Sequence, residues 1–299
     1  MDAIVVEHLT KHYGNVVAVD DLSFTVTAGR ITGFLGPNGA GKTTTLRTLL
    51  ALARPTAGTA TFAGVPYAEL PVPARHVGAV LEAASFHPGR KARAHLRVLA
   101  TAAGLPPSRV DDVLGLVGLD TVGGRRARGF SLGMRQRLAL AGALLGDPEV
   151  LVLDEPSNGL DPDGVRWLRD LLRSFAAEGR TVLVSSHLLA EVAQTVDDVV
   201  VIAGGRLVTA GPLEDVVGLS DRRQVRVRTP QAADLRATLA RRGLAASVDA
   251  DGAVLIDATT PEHVGRAIAG AGIVVYEMQA LDHSLEDVFL ELTKSGDQR

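Results

Sequence analysis

Gly36, Gly39, Gly41, Lys42 and Thr43 fit the spacing G-x-x-x-x-G-K-[ST], with Pro37, Asn38 and Ala40 between them and Thr44 following. Triphosphate oxygens must be met at short range by backbone N–H groups. Glycines remove the β-carbons that would block that approach and permit unusual dihedrals. A helix starting near Lys42 turns its positive end toward the anion. Lys42 is expected to reach the β and γ phosphates, and Thr43 to place its hydroxyl on Mg²⁺. A second group is Asp154-Glu155, which ends the apolar run Val150–Leu153. Adjacent carboxylates at the end of a buried strand are costly unless they serve something. Asp154 suits the water shell of Mg²⁺, and Glu155 suits an attacking water that must be oriented or deprotonated. A third candidate, His187, follows the apolar run Thr181–Ser186. Taken alone it reads equally well as a structural imidazole or a functional one.

The elements that position these groups follow from periodicity. Ile31–Leu35 is an apolar strand, and the residues after Lys42 have helical spacing, so the glycine loop sits between strand and helix. Val150–Leu153 and Thr181–Ser186 are continuous apolar runs, as in parallel strands covered on both faces. In such sheets ligands bind at the carboxyl ends of strands, which gathers Lys42, Asp154, Glu155 and His187 at one edge. Residues 3–9 and 23–27 read as short strands around a Lys11–Asn15 turn that carries Tyr13. Tyr13 reads equally as a surface aromatic or as a ring that stacks on a base. Ala57 to Tyr67 reads as a hairpin region, and His76–Leu81 as a strand ending at Glu82.

From Ala84 to Asp147 the chain turns rich in Ala, Leu and Arg, a helical insertion with patterns at 92–103 and 109–117. It closes with Ser131, a good N-cap for a helix to about Leu145, whose buried face is Met134, Leu138, Ala141 and Leu145. On this evidence an ordinary capped helix is the simpler reading of Ser131. Ser157 to Asp161 reads as a turn, Pro162-Asp163-Gly164 opens a further helix, and 188–196 forms another. After about Asp221, strands at 223–229, 246–249, 253–257 and 273–279 alternate with helices at 231–242 and 260–271, a split βαβ pattern. Leu285, Val288, Phe289 and Leu292 lie on one face of a last helix.

The chain has 299 residues, 46% of them hydrophobic, enough for one large or two ordinary domains. A net charge of −3 gives no bulk attraction to nucleic acid, and the arginines at 222–228 have no interleaved aromatics, so they read as a solvated face. There is no cysteine, which excludes disulfides and thiolate metal sites. The N-terminal stretch lacks a basic start and an apolar signal core, and no apolar run nears the ~20 residues that span a bilayer.

Taken together, the residues resemble the nucleotide-binding subunit of an ATP-binding cassette (ABC) transporter over nearly the whole chain. Gly36–Thr43 matches the Walker A loop, and Leu151–Glu155 the Walker B strand with its catalytic glutamate. Asp161 matches the D-loop aspartate, His187 the switch histidine and Tyr13 the adenine-stacking aromatic. Phe130–Met134 stands where the family has Leu-Ser-Gly-Gly-Gln. It keeps Ser131 and Gly133 but has Leu132 for the first Gly and Met134 for the Gln. The Q-loop position holds Glu82, a metal and nucleotide candidate. Both departures, and the ending Ser284–Phe289, are similar to bacterial drug and bacteriocin exporters of the bacitracin-resistance type.

The resemblance implies an α/β fold: a P-loop NTPase (RecA-like) parallel-sheet core with an antiparallel β subdomain and a helical insertion over about 84–147. These occupy residues 1–218, and a small ferredoxin-like α+β domain occupies 219–299. It implies binding of ATP and Mg²⁺, hydrolysis with Glu155, His187 and Lys42, and a head-to-tail dimer with each ATP between the Lys42 loop of one copy and Ser131–Met134 of the other. It implies a separate integral membrane permease, a place on the cytoplasmic face of the membrane, and no nucleic acid. The competing class is a soluble ABC ATPase of DNA repair, translation or cluster assembly. The single cassette and the absence of a coiled coil, zinc cysteines and basic charge weigh against it.

Overall fold

The structure, a computed structural model, describes residues 2–81, 86–188, 192–218, 224–249, 251–257 and 259–281. Glu82, the helix expected to carry Leu285 to Leu292 and part of the helix expected at 188–196 lie outside the described residues. The chain divides into two compact units, the second beginning at Glu214.

In chain order the first unit starts with β1 (Asp2–Tyr13) and β2 (Val16–Thr27), then β3 (Ile31–Leu35), α1 (Lys42–Leu49) and β4 (Ala57–Phe62). β5 (Val77–Val80), α2 (Ala92–Ala102), α3 (Arg109–Leu116) and α4 (Leu132–Ala143) follow. The core closes with β6 (Val150–Leu153), α5 (Pro162–Ala177), β7 (Thr181–Ser186), β8 (Asp198–Ala203) and β9 (Arg206–Pro212).

β1 and β2 are longer than their apolar cores suggest. Their antiparallel ladder continues through Lys11↔Val19 to Tyr13↔Val16, so backbone pairing carries the strands past the point where the buried pattern stops. The turn shrinks to Gly14-Asn15, with Gly14 at φ 58°. Within Ala57–Tyr67 the hairpin is a single tight turn: Phe62 and Val65 exchange backbone hydrogen bonds at 2.8 and 2.9 Å around Ala63-Gly64, and the rest of β4 does not pair within the region. β4 pairs with β1 instead, in the sheet order β2-β1-β4, because its buried Phe62 sits opposite Ile4 in the core.

The main sheet has the order β5-β6-β7-β3-β8-β9, parallel except for β9. Every residue of β3, β6 and β7 is buried, which is why these strands read as unbroken apolar runs. Phe24 of the antiparallel sheet stacks on Phe34 of β3 with ring centroids 5.3 Å apart, joining the two sheets in one core. Because β6, β7 and β3 are neighbours and run the same way, their carboxyl ends lie side by side.

The second unit carries α6 (Leu213–Gly218), β10 (Gln224–Arg228), α7 (Ala232–Ala240), β11 (Ala246–Val248), β12 (Val254–Ile256), α8 (Pro261–Ile268) and β13 (Glu277–Leu281). Its sheet order is β11-β12-β10-β13, all antiparallel, the split βαβ arrangement. Val225, Val227, Leu235, Leu239, Val254 and Ile256 form its core. The last strand lies further along than the apolar stretch 273–279 implies. Ile273 and Val275 pack on the core from a loop that Thr229 Oγ1 pins by donating to Val274 O at 2.6 Å, and pairing with β10 starts at Glu277↔Arg228. Arg226 pairs with Asp249 at 2.7 Å and with Asp251 at 3.1 Å, so its charge is answered within the domain.

Candidate active site

The glycine loop leaves the buried end of β3 and enters α1 through Gly41, which caps the helix with φ 102°. Two of the three glycines are required by the protein itself rather than by an incoming phosphate. A β-carbon on Gly36 would lie 2.6 Å from Ile202 O, and one on Gly41 would lie 2.5 Å from Ala18 O. A β-carbon on Gly39 would meet nothing within 4 Å, but its φ of 84° selects glycine. Gly39 therefore presents the open side of the loop, and Gly36 and Gly41 let β8 and β2 close in behind it. Ala40 is buried, and its N–H donates to Pro37 O at 3.1 Å, folding the loop on itself.

Lys42 is 6% exposed, and its ammonium lies at the mouth of this loop. It donates to Gly36 O at 2.5 Å and to Pro37 O at 3.3 Å, and stands 3.4 Å from Glu155 Oε1. Thr43 Oγ1 donates to Asp154 Oδ2 at 2.7 Å, which brings the first turn of α1 against the end of β6. His187 reaches the site from the end of β7, with Nδ1 2.8 Å from Glu155 Oε2. The Glu155 carboxylate is thus bracketed by Lys42 on one oxygen and by His187 on the other.

Glu155 has φ 47°, a left-handed conformation that non-glycine residues rarely adopt, and Pro156 follows it. Such a conformation costs on the order of 1–3 kcal/mol and persists when neighbours over-determine it. Ser185 is the neighbour that does so. Its Oγ accepts from Glu155 N–H at 2.9 Å and donates to Asp154 Oδ1 at 2.5 Å, so one hydroxyl orients both acidic residues. Sequence reading missed Ser185, because a serine near the end of an apolar strand carries no signature of its own. The expected result for Ser185→Ala is a fall in ATP turnover of about tenfold or more, since both carboxylates lose their common support. Steady-state hydrolysis against ATP concentration checks it.

These groups line one cleft of about 310 Å³: Pro37, Asn38, Gly39, Lys42, Thr43 and Thr44 from the loop and α1, with Glu155, Asn158 and His187 facing them and Ala18 and Gly41 behind. Asn158 was not foreseen. It lies in the turn after Glu155 and donates its N–H to Glu155 O at 3.2 Å.

The remaining expected residues are not in that lining. Tyr13 ends β1 with half its surface exposed, its ring 4.7 Å from Lys11 Nζ. Ser131 caps α4, its Oγ accepting from Met134 N–H at 3.2 Å. Gly133 and Met134 lie in the first turn of that helix, which ends at Ala143 with Leu144 as its C-cap. Asp161 caps α5 by accepting from Gly164 N–H at 2.8 Å. Glu82 lies outside the described residues. Within one chain, then, the Lys42 cleft gathers most of the glycine loop with Glu155 and His187, Asp154 stands behind Thr43 through their hydrogen bond, and Tyr13, Ser131, Gly133, Met134 and Asp161 lie on other elements outside the lining.

The donors at Thr43 and Asp154 are hard oxygens in contact with each other, which suits Mg²⁺. Among the described residues no cluster of three or more His, Asp or Glu side chains could hold a metal by itself.

Comparison with known proteins gives the same reading. A family model described as ABC transporter matches residues 19–158, and a model of a domain of unknown function matches residues 223–286. The bacitracin transport ATP-binding protein BcrA of Bacillus licheniformis is 36% identical over 96% of this chain and 96% of its own length. The lantibiotic transport ATP-binding protein SrtF of Streptococcus pyogenes is 34% identical over 68% of this chain and 88% of its own. A solved structure of the ATP-binding subunit of an ABC transporter superposes with a TM-score of 0.66 at 28% identity, covering 73% of this chain and 92% of that one. The glycine loop on β3, the acidic pair on β6 and full-length likeness to such subunits lead to one conclusion: this chain belongs to the ABC transporter family, as an ATP-binding subunit.

Proposed function

We propose that the chain hydrolyses ATP to power export of a drug, antibiotic or peptide through a separate membrane permease. The observation that carries the hydrolytic part is the convergence of Glu155 and His187, from two adjacent strand ends, on the Lys42 cleft, with Asp154 hydrogen-bonded to Thr43 beside them. Export is supported by the printed functions of the bacitracin and lantibiotic relatives.

In this reading the loop amides and Lys42 bind the β and γ phosphates, and Lys42 gives up its bonds to Gly36 O and Pro37 O to do so. Thr43 and Asp154 would hold Mg²⁺, which neutralises charge on the phosphate oxygens when bound. Glu155 takes a proton from the attacking water as the new P–O bond forms and the bond to ADP breaks. His187 fixes the Glu155 carboxylate through its 2.8 Å contact and stands on the γ-phosphate side. Tyr13 stacks on adenine. Ser131, Gly133 and Met134 meet the γ phosphate of an ATP held by a second, head-to-tail copy, with Asp161 at the joint between copies. The capped helix end at Ser131 supports that role, because its free N–H groups and dipole favour an anion.

In this reading the permease docks on an apolar groove of about 730 Å³ between β5 and helices α2 and α4, lined by Leu50, Tyr67, Val80, Leu99 and Leu138 among others. His95 in its wall is held below the ordinary imidazole range by burial and by Arg90. No helix among the described residues is long and apolar enough to cross a membrane. The relatives' role as transport ATP-binding proteins supports a peripheral place on the cytoplasmic face, held by the permease.

Affinity purification of the tagged chain from detergent-solubilised native cells is the test. An integral membrane protein is expected to co-purify in stoichiometric amount. Recovery of ribosomes or nucleic acid instead would establish the soluble class of ABC ATPase and overturn the transport reading.

A further inference from the structure

Leu132 stands where the resembling family has glycine, and it is a large apolar side chain left 51% exposed at the start of α4. Its side chain covers Gly159. A β-carbon on Gly159 would collide with Leu132 Cδ2 and lie 2.9 Å from Leu132 Cγ. The relation is reciprocal: Leu160 Cδ2 lies 3.5 Å from where a β-carbon on Gly133 would be. Leu132 lies on Gly159 and Leu160 packs toward Gly133, so the first turn of α4 interlocks with the turn that follows Glu155.

That turn is closed at both ends. Asn158 N–H donates to Glu155 O at 3.2 Å, and Leu160 N–H donates to Ser157 O at 3.1 Å. Asp161 then caps α5. A second attachment lies along the same pair of helices: the guanidinium of Arg137 in α4 lies 4.1 Å from the Trp167 ring centroid in α5. Leu132 thus lies against the turn that places Asn158 in the cleft wall.

We propose that Leu132 is a positioning residue for the hydrolytic site. By filling the space above Gly159 it fixes the turn that carries Asn158 and supports the left-handed Glu155 backbone. It thereby ties the placement of the Ser131 helix end to that of the general base in the same chain. The inference rests on the reading of Glu155 as the base.

The test is a rescue experiment in the full-length chain, reading kcat and KM for ATP separately. Gly159→Asn adds a β-carbon while tolerating the backbone φ of 75°, since asparagine enters the left-handed region more readily than other residues. It is expected to lower kcat about tenfold or more with KM for ATP within about twofold, because the turn and not the phosphate loop is displaced. Leu132→Ala removes the colliding Cγ and Cδ atoms. The double variant Leu132→Ala/Gly159→Asn is expected to return to within about threefold of Leu132→Ala alone, a non-additivity that neighbours in contact show and distant sites do not. Leu132→Ala by itself reports the role without any added bulk: a fall in kcat at unchanged melting temperature is expected. Wild-type kcat in both Gly159→Asn and Leu132→Ala, or a double variant no faster than Gly159→Asn, overturns the role of Leu132. Undiminished turnover in Glu155→Gln overturns the underlying assignment of the base, and the inference with it.

Discussion

Glu155→Gln is expected to reduce ATP hydrolysis by about 10²- to 10⁴-fold, the contribution of a positioned general base, while ATP binding is retained. The amide keeps the shape of the carboxylate and its reach toward His187, but it cannot take the proton of the attacking water. It also removes a negative charge 3.4 Å from Lys42, which eases the release of that ammonium toward the phosphates. Bound ATP should then hold two copies together, so the variant should run as a dimer in size-exclusion chromatography with Mg-ATP and as a monomer without it. Lys42→Ala gives the opposite pattern. It removes the buried cation of the loop, so nucleotide binding itself should be lost, by about a hundredfold or more in Kd. Isothermal titration and single-turnover assays on the two variants separate binding from chemistry. Near wild-type turnover in Glu155→Gln would falsify the assignment of the base.

How far these assignments could be read before any fold was known differs from residue to residue. Lys42 and Thr43 were legible because a phosphate cradle demands glycines, a lysine and a hydroxyl at fixed spacing between a strand and a helix. Asp154 and Glu155 were legible because polar residues break a wholly apolar strand where ligands collect. Ser185 was not, although it holds both: its role lies in two hydrogen bonds to a neighbouring strand, and no local pattern records strand adjacency. Gly36 and Gly41 were found for a reason that covers only part of their role, since what a side chain there would strike is Ile202 O or Ala18 O, far along the chain. In the second unit the apolar stretch 273–279 marked a strand that starts at Glu277. Hydrophobic period cannot distinguish a strand from a loop that packs Ile273 and Val275 on the same core.

A mixture of two inactive chains should regain activity if the site is completed between copies. Ser131 and Gly133 are not in the lining of their own chain's Lys42 cleft, yet Ser131 caps a helix whose free N–H groups suit a phosphate. Ser131→Arg puts a long cation where a γ phosphate would approach and removes the cap bonded to Met134 N–H, worth about 1 kcal/mol to the helix. A homodimer of Ser131→Arg should have two damaged sites, as should a homodimer of Lys42→Ala. In the mixed dimer both lesions fall in the same site: the Lys42→Ala loop of one copy faces the Ser131→Arg helix of the other. The remaining site pairs an intact Lys42 loop with an intact Ser131 helix. Random mixing gives about half heterodimers, each with one intact site of two, so about a quarter of wild-type turnover is expected if sites act independently. If both sites must fire together, turnover stays at background, but the mixture should still trap one ATP per heterodimer when Glu155→Gln is added to both chains. Turnover and trapped nucleotide that are both no greater than the sum for the separate variants would show that the Ser131 helix acts within its own chain or not at all. The head-to-tail dimer would then lose its support.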